Sequence, residues 1–201
     1  MEAQKRAEKR PSATGTTEPL VYAPMARALH WLTVLFVAIL IPVGLYMVNR
    51  GIATQFDATT NTLYSAHKMA GFLLLWLVVA RLAYRLINGA PPDEPTLEWW
   101  QKAAAHMTHW GLYALLLAVP LLGWYGVSLY GARGTLFGLS LPAIAAEDQK
   151  AAEWVFKLHF WGAMLMLCAI GAHIGGAFFH HFIRGDGVLR RMLPGLKKRG
   201  A

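Results

Sequence analysis

The sequence predicts an all-α membrane protein, a four-transmembrane-helix bundle with both termini cytoplasmic, and three observations carry that expectation. Of its 201 residues, 56% are hydrophobic and only 15% charged, a more apolar balance than soluble domains show. Four apolar segments, at about 25–48, 65–88, 103–130 and 154–183, each reach the ~20 residues that a ~30 Å hydrocarbon layer asks of a helix. The basic residues then alternate along the chain. The N-terminal tail, the 89–102 connection with its flanks and the C-terminal tail hold 14 of the 19, among them Lys5, Arg6, Arg85, Arg190 and Lys198. The other two connections hold only Arg50, Lys68, Arg133, Lys150 and Lys157. Basic loops stay on the cytoplasmic side.

Taken in order, residues 1–20 are rich in Lys, Glu, Ser and Thr and read as a disordered cytoplasmic leader. The first apolar segment is too long for a signal peptide and no small-x-small cleavage site follows it, so it is expected to remain as a span. "NGAPPDEPTLEWW" is a Pro-rich inner connection whose Trp99 and Trp100 suit the membrane boundary. "GARGTLFGLSLPAIAAEDQK" is the longest outer connection, with a short surface helix expected near its end. The transmembrane domain thus covers 21–194, and 195–201 form a basic cytoplasmic tail. The net charge of +8 is matched by anionic membrane lipid. Nucleic acid is not expected as a partner, because the aromatic and basic interleaving that single strands need is absent.

Chemistry must therefore be built inside the bundle, and histidine is the ligand type at hand. Cys168 is the sole cysteine, which excludes a disulfide framework, an iron–sulfur cluster and a zinc ribbon, and leaves a small buried packing residue as its expected role. In "KLHFWGAMLMLCAIGAHIGGAFFHHF", the interval from His159 to His173 spans ~21 Å along a helix and falls only ~40° short of whole turns. They share one face at two depths. His30 lies near the cytoplasmic start of the first span, at the inner depth with His173, and His67 near the outer start of the second, at the depth of His159. Two stacked histidine pairs result.

A zinc or copper ion would draw two imidazoles close and add a third ligand. Haem takes one imidazole on each side and holds the helices apart, which suits the small residues Gly44, Gly71, Gly162, Gly171, Gly175 and Gly176 near these positions. The interval that separates His159 from His173 also separates His30 from Gly44, so Gly44 faces the outer layer. His106 and His109 remain rivals to His30 at the inner site. Arg81 follows His67 by the same interval and reaches the inner layer, where it contacts a propionate or snorkels to headgroups. His180 and His181 lie further toward the cytoplasm, placed for headgroups, a propionate or a quinone.

The motifs "ALHWL", "HKMAGFLLLWLVVARLAYRL", "HMTHWGLYALLLAVPLLGW", "FGLSLP" and "LHFWGAMLMLCAIGAHIGGAFFHHFIRGDGVLRRMLP" resemble the bacterial cytochrome b561 family over roughly residues 20–194. The resemblance implies two haem b groups with axial ligands on the first, second and fourth helices. These map to His30 and His173 on the inner iron, and to His67 and His159 on the outer iron. Small members of the family are similar to superoxide oxidases, which implies a superoxide:ubiquinone oxidoreductase of the bacterial inner membrane. Lys68 and Lys157 beside the outer ligands would then steer superoxide. Two alternatives stand beside this reading. One is a cytochrome b subunit passing electrons between a periplasmic dehydrogenase or hydrogenase and quinone. The other is a haem-free cation transporter, which intramembrane acids would favour and mid-span residues do not supply.

Overall fold

A computed structural model describes residues 21–195. Four long helices follow one another: α1 (Pro24–Thr54), α2 (Ala58–Asn88), α3 (Trp99–Tyr130) and α4 (Gln149–Phe178), the last running on into a π-helical turn, Phe179–Arg184. All four are long and apolar enough to cross a membrane. The leader before residue 21 and the basic tail after 195 lie outside the described residues.

The helices run past their apolar stretches because local caps, and not hydropathy, fix where they start or stop. Pro24, lacking an N–H, opens α1, and Gln55 in the left-handed region closes it. Asp57 caps α2 by accepting from the Thr60 N–H at 2.8 Å, so α2 begins at Ala58, before the apolar run at 65. Asp57 also takes a 2.6 Å bond from Arg50. The Thr60 hydrogen bonds, with Arg50 adding to them, hold this carboxyl at about 2, below its usual 3.8. The cap therefore contributes fully above pH ~4 and is lost only as the pH falls toward 2. A Glu98–Gln101 capping box starts α3, and Gly131, at φ 79°, ends it. Asp148 accepts from the Ala151 N–H at 3.0 Å and starts α4 at Gln149. The end of the 131–148 connection thus leads straight into α4 without the separate surface helix expected there, and the earlier turn at Leu136–Gly138 is broken by Phe137 in the left-handed region.

Packing is unequal around the bundle. α1 lies on α2, α2 on α3 and α3 most closely on α4, whereas the backbone of α4 stands away from α1 and α2. Only 6% of the span on α4 is buried, against 39% of that on α3. Val37, Leu40, Leu74, Val78, Leu116, Val119 and Met166 form the buried core. Leu35, Ile39, Leu73, Trp76, Trp161 and Leu165 face outward, as lipid allows. Cys168 also faces outward rather than into the core. Lipid is as apolar as a packed interior, so a small apolar side chain gains nothing from pointing inward.

The end of the bundle where α1 starts, called inner below, is closed by the chain after α4. Tyr22 N–H donates to the Arg191 carbonyl at 3.1 Å, Trp31 Nε1 to the Met192 carbonyl at 3.3 Å and Arg184 to the Thr96 carbonyl at 3.0 Å. Arg191 pairs with Glu94 at 3.7 Å. This segment ties the start of α1 to the connection before α3.

Candidate functional site

The histidines fall into two layers, with the buried core between them. In the outer layer the rings of His67 and His159 stand 6.2 Å apart, centre to centre, with planes at 85°. In the inner layer His30 and His173 stand 6.3 Å apart, with planes at 68°. Both pairs bridge to α4 across the gaps that its backbone leaves on α1 and α2.

Outer-layer glycines give these rings their room. A Cβ on Gly44 of α1 would meet His67 Cε1 at 3.0 Å, and a Cβ on Gly123 of α3 would meet His159 Cε1 at 3.1 Å, both tighter than normal contact. Gly71, Gly171, Gly175 and Gly176 have open space beside them, while Gly162 packs on Val119. His159 Nδ1 donates to the Val119 carbonyl at 2.8 Å, which leaves Nε2 as its lone-pair nitrogen. His67 Nδ1 is buried without a hydrogen-bond partner.

The inner layer is more crowded and more cationic. Arg81 Nη2 donates to His30 Nδ1 at 3.0 Å, and its guanidinium lies 5.1 Å from the centre of the Tyr113 ring. His109 stands 5.3 Å from His173, whereas His106 is turned to Asp93 at 3.2 Å on the exposed surface. Of these two rivals to His30, only His109 is in the layer. Below it, His180 Nδ1, in the π turn, donates to Asp186 just beyond that turn at 2.6 Å, in a pair only 14% and 4% exposed.

Each candidate lysine has a partner of its own. Lys68, next in sequence to His67, donates from Nζ to the Ala132 carbonyl at 2.9 Å, and Lys157 Nζ lies 4.7 Å from the centre of the Trp154 ring. Sequence reasoning overlooked Gly123, although the interval that leads from His30 to Gly44 also leads from His109 to Gly123.

Residues 21–195 match the family model for prokaryotic cytochrome b561. The chain belongs to that family. This b561 cytochrome is 31% identical over 179 residues to cytochrome b561 homolog 2 of Escherichia coli, covering 89% of this chain and 94% of that one. It is also 31% identical over 166 residues to homolog 1 of the same organism, covering 83% and 93%. A third relative, from Yersinia pestis, is named probable superoxide oxidase CybB and is 28% identical over 179 residues, covering 89% and 98%. Family membership brings haem b with it and sets aside the haem-free transporter.

The two layers fit that group. Imidazoles on opposite sides of one metal ion, with bonds of about 2.0 Å and ring centres about 1.1 Å behind the nitrogens, would stand about 6.2 Å apart. The pairs measure 6.2 and 6.3 Å. His109, at 5.3 Å, is too near His173 to face it across a flat ring. Among the described residues no three His, Cys, Asp or Glu side chains converge to hold a bare metal ion.

Proposed function

We infer that this b561 cytochrome is a di-haem electron relay that oxidises superoxide at its outer face and reduces ubiquinone toward its inner face. Both termini are cytoplasmic in this reading, as the basic residues ask. The observation that carries the di-haem relay is the equal spacing of the two imidazole pairs, 6.2 and 6.3 Å, across the gaps beside α4. Superoxide as donor rests on the similarity to the Yersinia pestis protein named probable superoxide oxidase. His67 and His159 would hold the outer haem, and His30 and His173 the inner one. Haem b held by histidine on both faces supplies one-electron transfer and offers oxygen no open position.

The protein's own groups do the rest. The Val119 carbonyl fixes the tautomer of His159 and keeps its Nε2 lone pair toward the gap. Lys68, tethered to the outer loop beside His67, places a cation where a small anion would approach. Lys157, turned onto Trp154, contributes less. His30 can offer Nε2 as a ligand only with its proton on Nδ1, so Arg81 must release that nitrogen. A freed guanidinium suits a propionate carboxylate. The buried His180–Asp186 pair supplies a proton-holding group at the inner end. Oxidising two superoxide ions to oxygen yields the two electrons that, with two protons, turn a quinone to quinol.

Air-oxidised protein mixed with superoxide and a soluble ubiquinone tests this reading by absorbance. Rapid haem reduction followed by quinone-dependent reoxidation is expected. A two-haem spectrum that answers dithionite and ignores superoxide would overturn the donor and return the chain to the cytochrome b subunit alternative. A narrower expectation concerns Arg81. Arg81→Gln removes a cation from beside the inner layer, so potentiometric titration is expected to show one midpoint lowered and the other unmoved. Equal movement of both would remove Arg81 from the inner site.

A further inference from the structure

The connection between α3 and α4 does not behave as a loop in water. From Gly134 through Ala146 it carries no charged residue, and it folds into a small hairpin closed by a bridge between Gly134 and Ser140. Thr135 N–H donates to the Leu139 carbonyl at 2.7 Å, Leu139 N–H to the Leu136 carbonyl at 3.2 Å and Leu141 N–H to the Arg133 carbonyl at 3.0 Å. Arg133 Nη1 returns to the Leu141 carbonyl at 3.2 Å. Three backbone N–H groups are thus bonded within the hairpin. At its tip Phe137 adopts φ 60°, ψ 25°, a left-handed conformation that bulky side chains avoid, and is 88% exposed. Leu139 is 59% exposed, whereas Leu141, at the base, is 7% exposed.

The bonds of this segment set its depth. α3 ends at Tyr130, yet the Pro142 carbonyl accepts from Trp124 Nε1 at 2.9 Å. Trp124 lies before Tyr130 in α3, about 9 Å back along the helix, and helical side chains lean toward the N-terminus. The chain has therefore doubled back toward the membrane after leaving α3. Trp124 follows Gly123, whose position packs on the outer-layer His159. Ala132, at the other end, is held by Lys68, the neighbour of His67. The tip rests against α2.

We propose that the Gly134–Ser140 hairpin is a lipid-anchoring element, which lies in the outer boundary of the bilayer and inserts Phe137 and Leu139 among the lipid chains beside α2. Backbone near this region gains from bonding to itself, and the N–H groups of Thr135, Leu139 and Leu141 do so. Aromatic side chains concentrate at this boundary. The anchor also holds the Ala132 carbonyl on Lys68, so the bilayer itself fixes that cation near the outer layer.

A nitroxide tests the placement. The haem-loaded protein, with Cys168→Ala to leave one thiol, carries the label at Phe137→Cys in nanodiscs of phosphatidylethanolamine and phosphatidylglycerol. Leu165→Cys, on the outward face of α4, and Glu147→Cys, in the exposed connection, are the references. Oxygen is expected to relax the label at 137 several-fold more than a water-soluble nickel chelate does, as at 165. A label at Leu139→Cys is expected to give the same result and serves if the Phe137 variant does not fold. Accessibility to nickel equal to that at 147 would put the tip in water and overturn the proposal, leaving the pair free for a soluble protein partner.

Discussion

Replacing His173 with alanine is expected to leave a folded protein that binds one haem per chain instead of two. His173 is the shared member of the inner layer, 6.3 Å from His30 and 5.3 Å from His109. Its loss leaves a gap on α4 that no neighbouring imidazole fills from the same face. The outer pair lies ~21 Å away along α4, with Met166 and the rest of the buried core between, and should keep its haem and its midpoint. His159→Ala is expected to do the reverse. His109→Ala is expected to retain both haems, because His109, 5.3 Å from His173, is too close to share an iron with it across a flat ring. A pyridine haemochrome ratio of haem to protein, with a redox titration to count components, decides all three. Two haems in either His173→Ala or His159→Ala would break the pairing. One haem in His109→Ala would exchange His109 for His30.

A single recurring interval made the two layers legible before any coordinates. It links His159 to His173 on α4, His30 to Gly44 on α1 and His67 to Arg81 on α2, joining one layer to the other; the same interval from His109 to Gly123 on α3 was overlooked. Polar and small residues on a lipid-spanning helix must have a reason to be there, so their spacing reports the inward face. What lay between was not legible. Cys168 faces lipid because apolar residues on a span carry no mark of which side is packed. The direction of a long flexible side chain was equally hidden: Lys157 turns to Trp154 and Lys68 to a loop carbonyl, choices set by tertiary neighbours. Helix ends ran beyond the apolar windows because Asp57, Glu98 and Asp148 act as caps, signals of hydrogen bonding and not of hydropathy.

Gly44→Leu is expected to separate stability from haem binding in opposite directions. In a helix interior leucine is favoured over glycine by up to about 1 kcal/mol, and α1 should gain from it. The new side chain, however, starts from a Cβ 3.0 Å from His67 Cε1, where even alanine would make the ring give by a few tenths of an ångström. The rest of a leucine needs the volume of the imidazole itself. His67 must then turn out of the gap facing His159, and the outer haem loses a ligand while His30 and His173 are untouched. The expected variant melts no lower than the parent in its haem-free form, holds one haem and shows only the inner midpoint. Gly123→Leu approaches the same layer from α3, against His159 Cε1 at 3.1 Å, and should give the same spectrum. Gly111→Leu is the control. It has nothing within 4 Å of its Cβ and should keep both haems. If Gly44→Leu and Gly123→Leu also kept both, the outer layer would tolerate bulk that the His67–His159 geometry forbids, and that pair would no longer stand as the outer ligands.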